Sequence, residues 1–164
     1  MTRNITINPS SDISSEQTVY VSIGATIEDS FDNAISATSA IFSTADATAP
    51  TLVFNPGDLE TAVAIGANIT ITFNEAIRNI DNTALTNSNV DNLITLKDAD
   101  SSGTDIVFDA TVYYASQVIT INPSSVFSSQ QAVYVALGDT LMHSSANTFT
   151  ATSSIFNASI RTPP

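Results

Sequence analysis

Residues 98–109 read DADSSGTDIVFD, the densest run of oxygen-bearing side chains in the sequence. Asp98, Asp100, Ser102 and Thr104 alternate along it, Gly103 stands at its sixth place, and Asp109 closes it. Hard oxygen ligands at such spacing can wrap a calcium ion, with the glycine allowing a sharp turn. Calcium is the one cofactor this pattern admits, and none is required. The closing ligand is Asp, shorter than the usual bidentate Glu, and the flanks read as strands instead of helices. The same letters also make an acidic hairpin tip with Gly103 at a positive φ.

Other chemistry-bearing groups are thinner. Glu28, Asp29 and Asp32 form a second acidic group that could hold a metal at a domain junction. Asp58 and Glu60, with Glu75, are a further junction candidate. His143 is the only histidine, and a nucleophilic triad would need it beside an activated serine. No G-x-S-x-G elbow is present, and Ser144 and Ser145 belong to a turn. Paired carboxylates can hydrolyse glycosides, but tryptophan is absent and no aromatic-lined cleft is evident. The expectation is therefore no catalytic residue and no enzyme. The Asn-rich stretch from Ile77 to Asn92 is the longest irregular segment. Its Asn79, Asp81, Asn82, Asn87 and Asn89 are the candidates for a binding loop. N-x-S/T occurs at Asn4, Asn68 and Asn157, which matters only where secreted proteins are glycosylated.

These residues need elements to position them, and composition says which. Charged residues are only 12% of the chain while apolar residues are 43%. The polar surface must then be Ser, Thr, Asn and Gln, which favours strands and turns over solvated helices. The net charge is −12, with only Arg3, Arg78, Lys97 and Arg161 basic. That excludes a nucleic-acid partner and attraction to anionic lipid. There is no cysteine, hence no disulfide or thiolate site. No run of about 18 apolar residues predicts a membrane span. Residues 1–10 lack the pattern of a signal peptide, so a secreted parent is expected to carry its signal further upstream.

The strongest organising signal is internal. Residues 3–50 and 117–164 align without a gap, and roughly half the positions are identical. ITINPSS, VYV, G-x-T and ATS-x-IF all recur, and Pro9 returns as Pro123, an offset of 114 residues. That length suits an immunoglobulin-type sandwich and exceeds the short solenoid repeats. The second copy replaces Glu28 and Asp29 by Met142 and His143, which argues against a shared metal site. Residues 49–164 are expected to form a complete repeat, and residues 1–48 the last three strands of another.

Within 49–164, alternation predicts about seven short strands. They are 52–54, 67–73, 93–97, 106–112, 118–121, 133–137 and 149–156, with 93–97 and 106–112 joined as a hairpin. Residues 77–90 are predicted to be a loop with one helical turn. Tyr20 and Tyr134, at matching positions, are expected to form tyrosine corners.

Residues 49–77, APTLVFNPGDLETAVAIGANITITFNEAI, resemble the opening of the bacterial Ig-like domains repeated in S-layer proteins and large surface adhesins. Pro56, Asp58, Phe73 and Glu75 carry that likeness, as do Ile119 to Pro123 and Tyr134-Val135 further on. A D-x-x-G-N turn typical of the family is only loosely matched by Asp29 to Asn33, and less by His143 to Asn147. The resemblance implies an all-β, antiparallel immunoglobulin-like sandwich in a tandem repeat. It implies a spacer or stalk module of an extracellular, cell-surface protein or filament. Separately, the half-repeat 1–48 must hide one face, in cis or by strand exchange with a neighbouring copy, so self-association is expected. The resemblance brings no catalytic residues. Some surface domains of this kind join a Lys to an Asn, for which Lys97 is the only lysine. The alternative reading is a module that grips sugar, protein or a surface through its end loops, with calcium as stabiliser.

Overall fold

The computed structural model describes residues 4–113 and 117–160. Arg3, Arg161 and the closing Thr162-Pro163 of the repeat alignment lie outside them. The chain divides into two compact units, Met1–Thr48 and Ala49–Pro164.

The first unit has two strands, β1 (Thr18–Ile23) and β2 (Thr38–Ser43). They pair antiparallel from Thr18↔Ser43 to Ile23↔Thr38. The turn between β1 and β2 is closed by Asp29, whose N–H donates to the Asn33 carbonyl.

The second unit is the sandwich that alternation predicts. One layer runs β3 (Leu52–Asn55), β4 (Ile69–Phe73), β8 (Val118–Pro123), β7 (Phe108–Tyr113). The other runs β11 (Thr152–Asn157), β9 (Ala132–Leu137), β6 (Ile94–Asp98). A ribbon of β5 (Ile77–Asn79) and β10 (Leu141–His143) closes one side. All pairs between strands are antiparallel. The described residues hold no α-helix and no helix long and apolar enough to cross a membrane.

Period-two patterning explains the core. Ile69, Ile71 and Phe73 of β4 point inward with Ile119 and Ile121 of β8. Facing them, β9 contributes Val133, Val135 and Leu137, β6 contributes Leu96, and β11 contributes Phe156. Each such side chain gains about 1.5–3 kcal/mol on burial. Two edge-to-face ring pairs fix the fit, Phe73 with Phe149 and Phe127 with Phe156.

Three expectations need correction. Residues 93–97 and 106–112 are not a hairpin. β6 pairs with β9 and β7 with β8, in different layers. The chain starts a hairpin at Lys97↔Asp105 and then crosses between sheets, because Leu96 and Ala110 must be buried from opposite sides of the core. Residues 77–90 are not wholly a loop, since β5 begins there, while the expected helical turn falls at its end as a 3-10 turn at Val90–Leu93. β5 and β10 escape sequence reading because three residues show no periodicity. No tyrosine corner forms among the described residues either. Tyr134 sits mid-strand between Lys97 and Ile155, and no hydrogen bond among the described residues uses its hydroxyl or that of Tyr20.

Candidate functional site

The 98–109 loop is tied together by its own atoms. The Asp100 carboxylate accepts from the Ser102 hydroxyl at 2.6 Å and its backbone N–H at 2.8 Å. These two bonds, the hydroxyl first, hold the Asp100 carboxyl below its ordinary value. Asp98 accepts from the Gln131 side-chain amide at 3.2 Å. The Lys97 ammonium donates to the Gly103 carbonyl at 3.2 Å and to Asp105 at 2.7 Å. The positive charge next to this loop is thus the chain's own lysine. Thr104 gives its backbone carbonyl to the Asp98 N–H, and Asp109 lies on β7 opposite Asn122. Among the described residues, no three acids of the loop bring ligand atoms within 4.8 Å of one another.

Gly103 is required here, though not for the expected reason. None of the described glycines has a positive φ; that conformation falls on Ala99, at 66°. A Cβ at Gly103 would lie 1.5 Å from the Asp98 carbonyl oxygen. Close backbone approach therefore selects the glycine.

The second acidic group is likewise a turn. The Asp29 carboxylate accepts from the N–H groups of Phe31 at 2.8 Å and Asn33 at 3.0 Å, and from the Asn33 amide. The Asn33 side chain is the main cause that lowers the Asp29 carboxyl, followed by the two backbone donors. Glu28 bridges Ala34, and Asp32 takes the positive φ of the turn.

The Asn-rich loop holds itself and a sheet edge. Asp81 accepts from the Thr83 hydroxyl and N–H, which lower its carboxyl in that order. Asn79 donates to the Thr83 hydroxyl, Asn82 takes a positive φ, and Asn89 accepts from the Thr86 N–H. Asn87 accepts from the Val112 N–H at 2.8 Å, and Asp91 accepts from the Ala110 N–H at 2.9 Å. Both donors lie on the side of β7 turned away from β8. An unpaired edge is a template for foreign strands, and here side chains occupy it.

The junction acids serve the opposite edge. Asp58 accepts from the Ile155 N–H of β11 at 3.0 Å, and Glu60 from the Gly57 N–H at 2.8 Å. Glu75 stands apart, with a carboxylate oxygen 3.2 Å from Nδ1 of the buried His143. Nothing in the sequence links these two residues. Their meeting depends on the β5–β10 register, which no local signal announces. Ser145 approaches the ring through its backbone N–H, not its hydroxyl. A depression of about 400 Å³ in the second unit is lined by Thr61, Ala62, Gln130, Asn157, Ala158, Ser159 and Ile160, none of them titratable. Asn4, Asn68 and Asn157 are all exposed.

The bacterial Ig-like domain family matches residues 46–159, most of the chain. The chain belongs to that family. As a bacterial Ig-like domain it has the all-β sandwich that the resemblance implied. No curated protein matches the sequence. The solved structure of CopC from Methylosinus trichosporium OB3b is similar at 13% sequence identity and a TM-score of 0.45. It covers 70% of this chain and 98% of that chain. A likeness of that degree carries no argument about ligand or activity.

Proposed function

We propose that this chain is a spacer or stalk module of a long extracellular or cell-surface protein, of the type repeated in S-layer proteins and adhesins, and that it is structural and not enzymatic. Its partners on this reading are neighbouring copies of the same repeat. One observation carries it. The acidic and amide side chains best suited to chemistry, Asp29, Asp58, Asp81, Asn87, Asp91 and Asp100, accept hydrogen bonds from backbone N–H groups. Side chains spent on backbone donors hold turns and edges, and they offer less to a ligand. Family membership and the recurrence of the β1–β2 register in β9–β11 support an array. The binding-module reading draws less support, because the loop it relies on is anchored to β7.

A thermal melt with and without millimolar calcium tests this. A structural module that needs no metal keeps its midpoint. A rise of several degrees, abolished by Asp98→Ala with Asp100→Ala, would show a calcium-stabilised module instead.

A further inference from the structure

The two repeated segments share about half their positions, yet their described residues reach different outcomes. Residues 4–9 read NITINP and residues 118–123 read VITINP. The second segment is β8, hydrogen-bonded to β4 on one side and β7 on the other. The first forms no strand. Residues 27–29, equivalent to β10, also form only an isolated bridge, Glu28↔Ala34, where β10 has β5 as partner. By contrast β1 and β2 match β9 and β11 residue for residue, in the same register. The turn between them repeats as well, with Asp32 and Ala146 both at positive φ.

One rule separates the cases. Elements whose partners lie inside the repeated segment form in both units. Elements whose partners lie in residues 51–113 form only in the second. Burial follows the same division. Ile5 and Ile7 are 67% and 61% exposed, whereas their equivalents Ile119 and Ile121 are both 0% exposed. With Val21, Ile23 and Ala40, they line an apolar groove of about 220 Å³. Every described residue from 4 to 48 is exposed or half-buried. A two-stranded ribbon with an uncovered apolar face is marginal alone.

We propose that this groove is a docking site for the front half of a neighbouring copy of the repeat, strands of the kind formed by residues 51–113. The inference rests on the array reading of the chain and names which part of a neighbouring copy docks. Complementarity is already on view, because the second unit shows such a front half seated on the equivalent residues. The front half would give residues 4–9 two ladder partners, as β4 and β7 do for β8. It would cover the outer edge of β2 as residues 58–63 cover β11. There Leu59 N–H donates to Ile155 carbonyl, and Asn157 N–H to Glu60 carbonyl.

The test is a chain in which a copy of residues 51–116 is fused directly ahead of Arg3, which restores the repeat spacing. Hydrogen exchange is compared between this chain and residues 1–164. We expect amides of residues 5–8 to exchange freely in 1–164 and at least about a hundredfold more slowly in the fused chain. A second fused chain, with the added copy's equivalents of Ile69 and Ile71 changed to Asp, should lose that protection. Protection of β4 and β8 in the native second unit reports that each chain is folded. Free exchange of residues 5–8 in the fused chain, with β4 and β8 protected, would overturn the proposal. Protection already present in 1–164 would also overturn it. Light scattering then tells whether a second copy of this chain is the occupant, as in a dimer, or the chain covers the groove itself. Those outcomes concern the docking partner, whereas the calcium melt judges the spacer reading on the second unit.

Discussion

Single atoms decide the acidic loop. The carbonyl oxygen of Asp98 occupies the space where any Cβ at Gly103 would go. Gly103→Ala should therefore destabilise the second unit by roughly 1–3 kcal/mol, read by denaturant unfolding. The turn carboxylates make a separate prediction. Asp81 and Asp100 have lowered pKa values because hydroxyl and backbone donors favour the charged form. A depressed folded-state pKa contributes stability above the ordinary value of 3.8, and that contribution fades as pH falls through the folded value. Asn at either site keeps an acceptor for the turn but cannot titrate. Asp81→Asn with Asp100→Asn should flatten the acid limb of stability below about pH 4, measured by melts across pH 2–7. An acid limb as steep as the parent's would contradict the assigned bonds. The oxygen-rich spacing was legible in the sequence. That its oxygens would be spent on Ser102, Gln131 and a neighbouring lysine's ammonium was not, because turn hydrogen bonds and ion ligation use the same residue types.

Whole strands were legible where alternation ran five residues or more, as in β4 and β9. Pairing was less so. Periodicity says which face of a strand is apolar but not which sheet it joins, and the misread hairpin at 93–112 follows from that gap. The edges of the sheets were the least readable feature. Asn87 and Asp91 look like exposed loop polars in sequence, and only the fold shows them opposite the Val112 and Ala110 N–H groups. Ala110 is 1% exposed, so loss of its acceptor leaves a buried donor unpaired. Asp91→Ala should cost about 1–3 kcal/mol and raise the tendency to aggregate through β7. Denaturant unfolding and light scattering on the same sample measure the two effects. A variant as stable and as soluble as the parent would remove the edge role from Asp91.

At the scale of the molecule, the two copies differ in side chains that the core reads. Ile35 stands where the second copy has Phe149, the ring that meets Phe73 edge-on at 6.1 Å. Ile27 likewise replaces Leu141. Phe149→Ile should destabilise the second unit by roughly 1–3 kcal/mol, through lost volume and a lost ring pair, as a denaturant midpoint would record. An unchanged midpoint would mean the site refills without penalty.

That difference bears on how an array reaches its final arrangement. In a tandem array, two back halves that share about half their positions and one register would compete for a single front half while the chain is being made. A back half bearing Ile35 on the front half that holds Phe73 leaves a void where a ring belongs. In a tandem array, divergence at such core positions would act as proofreading. It would raise the energy of crossed partners between adjacent repeats, where misassembly is the characteristic hazard of repeat proteins.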